Sequence, residues 1–216
     1  MKPADKRLYK SLHQQVSNLH MYWKVYRQLY AKSSKRVDLL NETGPLVFYI
    51  LQGLLIDEVT LAFCRITDPV RSAGKATHSL TRLIARVDGR TYPILKRDLQ
   101  NLLDDLKTRV KPFRDRRNKA IAHSDLGITL KITKSILPGV SRKEVEDALV
   151  VTRKLMNRYE HEFKLNHTAF EHVILPLGSD GDFLAEQLKR AVAFRDLERA
   201  SKIKRELWIN GRYKNA

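Results

Sequence analysis

Apolar side chains recur every three or four residues along most of the chain, which predicts a protein built of α-helices. One long helix is predicted near the N-terminus, from the stripe Leu8, Leu12, Val16, Leu19, Trp23, Tyr26 and Tyr30. Similar stripes predict helices over about 93–110 and 141–163, and a last one from about Asp182. We therefore expect an all-α bundle of about six helices in one domain, residues 1–216, with the helix at about 180–210 as an appended element.

The segment from Pro45 to about Ile66 is apolar nearly all round, which predicts the central, buried helix of the bundle. Its longest apolar run, residues 45–56, is too short to span a bilayer, so we expect no membrane association. Residues 32–41 are predicted to be a polar connection, 70–77 a loop and 78–87 a short helix. Alternating Ile128, Leu130 and Ile132 hint at an extended stretch.

Charge narrows the class of partner. The 216 residues include 41 basic and 24 acidic ones, a formal net charge of +17. Such a balance favours a polyanion, either RNA, DNA or an acidic protein, although a generally basic protein without such a partner has the same composition. Because Cys64 is the only cysteine, neither a disulfide nor a cysteine-based metal site can form within the chain, and a cytoplasmic location is expected.

Histidines and glutamates also gather near the end of the penultimate predicted helix. His161, His167 and His172 do not have the spacing of a recognised zinc site, and surface histidines are common. We therefore expect no metal and no cofactor.

A basic, histidine-containing stretch follows Pro112, which we expect to kink or restart the preceding helix, so that about 112–123 forms a segment of its own. In it, Arg117 is followed by Asn118, and His123 comes six positions after Arg117. Histidine titrates near neutral pH and can move the proton of an RNA 2′-hydroxyl. Arginine offers a planar, forked donor set to the charge that develops on phosphorus.

The geometry of an unbroken α-helix leaves the arginine ambiguous. Arg117 would lie about 120° around the helix from His123, whereas Arg116 would lie within about 20° of it. His123 could also be a helix C-terminal residue that interacts with the helix dipole. Arg114, Arg116 and Arg117 could equally form a solvated face with Asp115.

Three segments together resemble the HEPN superfamily, most closely its abortive-infection U-class proteins. They are residues 57–69, which end in Ile66-Thr67-Asp68-Pro69, residues 79–83 (Ser-Leu-Thr-Arg-Leu), and residues 114–125 with the motif. The resemblance implies an antiparallel helical bundle and a homodimer whose two motifs face one RNA-binding cleft. It further implies a metal-independent endoribonuclease in phage defence, or a toxin with an antitoxin partner. Some HEPN proteins are non-catalytic modules that bind RNA or protein, so the fold alone does not decide activity.

The family pattern maps the catalytic arginine onto Arg117, with His123 as the proton shuttle and Asn118 as the polar residue that orients a phosphate oxygen or the histidine. Further cations of the segment, Arg114, Arg116 and Lys119, are candidates for contacts with RNA phosphates.

Two further groups of residues are candidates for a role beside the motif. Asp57 and Glu58 interrupt an apolar helix, and one of them is expected to hold a motif arginine or the histidine, unless both face solvent. The final helix is rich in Lys and Arg, and this basic face could contact an RNA backbone or could simply be solvated. Trp208 and Tyr213 near it could stack on bases, although Trp208 is expected to pack in the core.

The leading hypothesis is the endoribonuclease, and the alternative is the non-catalytic module. A DNA-binding regulator is the third, although no convincing helix-turn-helix spacing is present.

Overall fold

The computed structural model describes residues 2–122 and 139–200, and in them seven α-helices account for nearly all of the regular structure. The helices are α1 (Pro3–Tyr30), α2 (Ser34–Thr43), α3 (Pro45–Ile66), α4 (Leu80–Ala85), α5 (Pro93–Arg116), α6 (Arg142–Glu162) and α7 (Gly181–Arg199). A two-residue hairpin, β1 (Arg71–Ser72) and β2 (Lys75–Ala76), lies in the predicted loop before α4. The all-α prediction is confirmed. The alternating residues 128–132 and the aromatic residues Trp208 and Tyr213 lie outside the described residues.

The chain folds into two compact units. The first comprises Met1–Lys24 and Leu54–Ile174, and the second Val25–Gly53 and Leu175–Ala216. Helices α1 and α3 contribute residues to both.

The first unit is built around α5 and α6, which pack along each other. Each presents a stripe of buried apolar residues to the other, as the period of about 3.6 requires. The buried residues of α5 are Leu95, Leu99, Leu103, Leu106, Val110 and Phe113. At the end of this stripe the ring of Phe113 packs against Phe63 of α3, with ring centroids 4.7 Å apart, and both residues are fully buried. The C-terminal end of α5 is therefore anchored on α3.

Within the first unit, the segment after α6 is attached to α1 by polar contacts. Glu160 is fully buried, and its carboxylate accepts hydrogen bonds from the Tyr9 hydroxyl at 2.7 Å and from the backbone N–H of Thr168 at 2.9 Å. Burial and the Glu160 carboxylate raise the pKa of Tyr9 above its ordinary range, so its hydroxyl stays a donor. These bonds satisfy a carboxylate that would be costly to bury alone.

His20 of α1 is another buried titratable residue of the first unit. Its ring is 5% exposed and stacks on Phe170, and its Nε2 has no hydrogen-bond partner in the described part of the chain. Burial and, secondarily, the Arg153 cation lower the pKa of His20 to about 4, while Glu171 opposes the shift. His20 is therefore neutral in the folded protein at neutral pH.

Since the unfolded chain takes up this proton near pH 6.5 and the folded chain does so only near pH 4, stability should fall as the pH falls through this window. We expect a loss of about 3 kcal/mol between about pH 7.5 and about pH 4 from this group. Denaturant unfolding across the window checks it, with His20→Leu as the comparison. If His20→Leu shows the same pH dependence as the wild type, His20 is not the cause.

The second unit has a small core of its own. Leu29, Leu40 and Phe48 are buried, and Val25, Tyr30, Leu51 and Leu188 pack against them. Helix α7 begins close to α1, because a Cβ at Gly181 would lie 3.0 Å from side-chain carbons of Gln28 and Leu29. A glycine at this position therefore permits the approach.

Two predictions for the second unit are wrong. Residues 34–43 form α2 rather than a polar connection, because the Ser33 hydroxyl caps the helix by accepting from the N–H of Arg36, and Leu40 is buried. Helix α3 is not buried throughout. Its C-terminal half is core in the first unit, but Leu46, Val47, Tyr49 and Ile50 are exposed by 68%, 65%, 76% and 50%.

Helix α3 is also, within residues 2–122 and 139–200, the one helix long and apolar enough to cross a membrane by length and composition alone. Core helices of soluble proteins meet the same criterion, and a third of its most apolar window is buried in the protein.

Candidate active site

Helix α5 does not restart at Pro112, contrary to the sequence prediction. It runs unbroken to Arg116, and Arg117–Ala122 then wind as a π-helix. The change of helix type comes five residues after Pro112. The angles estimated for a regular α-helix do not apply to Arg117–Ala122, and short π-helical segments are frequent at functional sites. His123 lies outside the described residues.

Arg114 joins α5 to the C-terminal end of α3. Its guanidinium donates to Asp68 Oδ1 at 3.1 Å, to Thr67 Oγ1 at 2.7 Å and to the carbonyl of Cys64 at 3.3 Å. The Cys64 carbonyl also accepts from the backbone N–H of Thr67 at 3.2 Å. A cation at the last turn of α3 interacts favourably with the helix dipole. These contacts give Arg114 a structural role, and any phosphate would have to compete with them.

Arg116 is paired with Asp57 of α3. The distance from its Nη2 to Asp57 Oδ1 is 2.7 Å, and the Arg116 side chain is 21% exposed. Its buried Nε has no hydrogen-bond partner in the part of the chain that the structure describes. Asp57 therefore holds a motif arginine, one of the arrangements expected for the two carboxylates, while Glu58 pairs with Arg65 outside the motif.

Arg117 has the weakest ties to carboxylates among the three motif arginines. Its Nε and Nη2 donate to the Asn118 side-chain oxygen at 3.1 and 3.0 Å. The closest approach of its Nη1 to Asp68 Oδ1 is 3.9 Å, beyond hydrogen-bond distance. Asn118 thus orients the guanidinium through a neutral amide, and the charge of Arg117 remains available to an anion.

Cys64 and Lys119 are two further residues near Arg117. Burial raises the pKa of the Cys64 thiol above its ordinary value, and Arg117 and Arg114 partly offset this shift. Lys119, two residues further on, is exposed and has no polar partner among the described residues. The predicted RNA contact of Lys119 is therefore sterically open, and its role stays a prediction.

Sequence reasoning gave no site role to Thr67 and Asp68, which the structure brings to the motif. The Thr67 hydroxyl donates to the Phe63 carbonyl at 2.7 Å and accepts from Arg114, and Asp68 faces both Arg114 and Arg117. The available signal was a Thr-Asp pair directly before a helix-ending proline. Within residues 2–122 and 139–200, no group of three His, Cys, Asp or Glu side chains could hold a metal ion.

The sequence profile of the HEPN family AbiU2 matches residues 2–190. This range includes the motif, helices α1 to α6 and the first half of α7. No curated protein and no solved structure shows significant similarity to the chain.

Proposed function

The chain belongs to the AbiU2 family of abortive-infection HEPN proteins, and from this we infer that it is a metal-independent endoribonuclease. Arg117 carries the proposal. It is the motif arginine that an amide orients and no carboxylate neutralises at hydrogen-bond distance. A guanidinium that is held in place, with no carboxylate at hydrogen-bond distance, can stabilise the negative charge that grows on a pentacoordinate phosphorus.

In the proposed reaction, His123 removes the proton from the 2′-hydroxyl, which attacks the adjacent phosphorus. The bond to the 5′-oxygen of the next nucleotide breaks, and that oxygen takes up a proton from the protonated His123, which returns to its neutral form. The products are a 2′,3′-cyclic phosphate and a 5′-hydroxyl end. Every step uses side chains of the protein and the RNA itself.

The test is incubation with total RNA in the presence of EDTA, followed by analysis of the product ends. We expect cleavage that persists in EDTA and leaves cyclic phosphate ends. A His123→Ala preparation, purified in the same way, controls for contaminating nucleases. Equal cleavage by this variant, or 5′-phosphate products, would contradict the proposal.

We also propose that the active form is a homodimer, formed through the exposed apolar residues of α3 in the second unit. Four large apolar side chains there, Leu46, Val47, Tyr49 and Ile50, are at least half exposed on two successive turns. Contiguous apolar surface of this kind is unusual on a monomer and marks an interaction site. In cells, the proposed role is phage defence by abortive infection, or that of the toxin in a pair with an antitoxin protein.

A non-catalytic module that binds RNA or protein is the second candidate. It is favoured by Arg114 and Arg116, whose charges are engaged by Asp68 and Asp57 and serve to join α5 to α3. The same incubation separates the two candidates, because a module retains RNA binding without producing cyclic phosphate ends.

A further inference from the structure

A second basic site lies in the first unit, where the N-terminal end of α1, the β1–β2 hairpin and α4 meet. It consists of two adjoining hollows of about 330 and 210 Å³ that share Arg82 and Arg86 as a common wall. Arg7 and His78 line the larger hollow, and Arg71 lines the smaller one. We call this the arginine groove, and no acidic residue among those that the structure describes lines either hollow.

Most of the charge in the arginine groove is uncompensated. Arg86 pairs with Asp5. The guanidinium groups of Arg7, Arg71 and Arg82 have neither an ion pair nor a hydrogen bond in the described part of the chain. Like charges gathered in a concave surface raise the local potential and concentrate anions there.

From this arrangement we propose that the arginine groove binds the phosphodiester backbone of single-stranded RNA, away from the motif. The proposal rests on the proposed function, because it takes RNA as the substrate. Several guanidinium groups spaced along a groove suit an anion that repeats along a chain, and their planar forks match phosphate oxygens. The other residues that line the groove are Ala4, Leu8, Val70, Ala76 and Ala85, so binding should depend on charge and not on base identity.

The arginine groove is within reach of the motif along the chain. Asp68, which contacts Arg114, precedes Arg71 by three residues, so their Cα atoms lie at most about 11 Å apart. One strand of RNA can therefore lie in the groove while a neighbouring phosphate meets Arg117. The groove would hold the substrate and leave the chemical step unchanged.

The test compares two triple variants that each remove three positive charges. The first, Arg7→Ala/Arg71→Ala/Arg82→Ala, removes the three unpaired cations of the arginine groove. Binding of a short single-stranded RNA is measured in the His123→Ala background across a salt series. We expect the Kd to rise at least about tenfold, and the log–log salt slope to fall by about two units, since each released contact accounts for about 0.7.

The charge-matched control is Arg97→Ala/Lys107→Ala/Lys154→Ala, which removes three cations of α5 and α6 outside the groove. It should change the Kd by less than about threefold. Circular dichroism confirms that both variants fold. If both triple variants weaken binding equally, net charge alone is responsible and the groove assignment is overturned.

Cleavage kinetics with the His123 side chain restored separate this proposal from the proposed function. The groove variant should show a KM raised about tenfold with kcat within about twofold of the wild type, because it loses binding common to substrate and transition state. If the wild type cleaves RNA and the groove variant has the same KM and kcat as the control variant, the groove assignment is overturned and the proposed endoribonuclease activity is retained. If RNA binding depends on the groove but no cleavage is seen, the groove assignment is supported and the proposed endoribonuclease activity is overturned. Equally tight, groove-dependent binding of an oligoglutamate would overturn RNA as the ligand in favour of an acidic protein.

Discussion

We expect the Arg117→Ala variant to cleave RNA about 100- to 1000-fold more slowly than the wild type, with its melting temperature little changed. The kinetic loss follows from removing a fixed cation at the phosphorus. The loss of stability should be small, because among the described residues the guanidinium donates hydrogen bonds only to Asn118 beside it and lies 3.9 Å from the Asp68 carboxylate. Single-turnover cleavage and thermal unfolding of the same preparation measure both effects.

Arg116→Ala is the matched comparison, because Arg116 is the preceding residue but is paired with Asp57 at 2.7 Å. We expect a destabilisation of about 1–2 kcal/mol, because the pair is only partly buried, and a loss of cleavage of less than about tenfold. Arg117→Lys should restore only part of the rate, because an ammonium group lacks the planar fork. A larger kinetic loss in Arg116→Ala than in Arg117→Ala would make Arg116 the catalytic arginine.

We expect the double variant Leu46→Glu/Tyr49→Glu to be monomeric at concentrations where the wild type is dimeric. These side chains are 68% and 76% exposed on α3. Losing the burial of two large apolar groups at the centre of an interface raises the dimer Kd by at least about 100-fold, and like charges from the two copies add to this. Sedimentation analysis over a range of protein concentrations gives the Kd directly.

Cleavage should fall together with the dimer fraction if motifs from two subunits form one cleft. Ile94→Glu is the control, because Ile94 is 62% exposed at the start of α5, outside the α3 surface. It should remain dimeric and active. A wild type that is monomeric at every concentration while it cleaves RNA would exclude the α3 surface as a functional dimer interface.

Local sequence patterns determined the positions of the long helices, since α1, α5 and α6 each have a continuous apolar stripe. In α5 this stripe outweighs Pro112, which lies inside the helix. The Ser141 and Glu144 capping box placed the start of α6 correctly. Helix α2 was not predicted because its sequence is short and polar. A helix of this length is marginal on its own, and it is stabilised by the burial of Leu40 and by the Ser33 cap. Apolar composition likewise could not distinguish the buried end of α3 from its exposed end.

The residue types of the motif, an arginine, an amide and a histidine within seven positions, were evident from the sequence, and so was the family that they resemble. Only the tertiary structure decided which arginine has no carboxylate at hydrogen-bond distance. Adjacent arginines have the same chemistry in a sequence, but Asp68 and Thr67 engage Arg114, Asp57 engages Arg116, and Asn118 orients Arg117. Asp57 lies in α3, and Thr67 and Asp68 follow its last residue, so these partners come from some 50 residues earlier in the chain and no local spacing specifies them. The arginine groove has the same origin, because Arg7, Arg71 and Arg82 are distant in sequence and meet only when α1, the hairpin and α4 fold together.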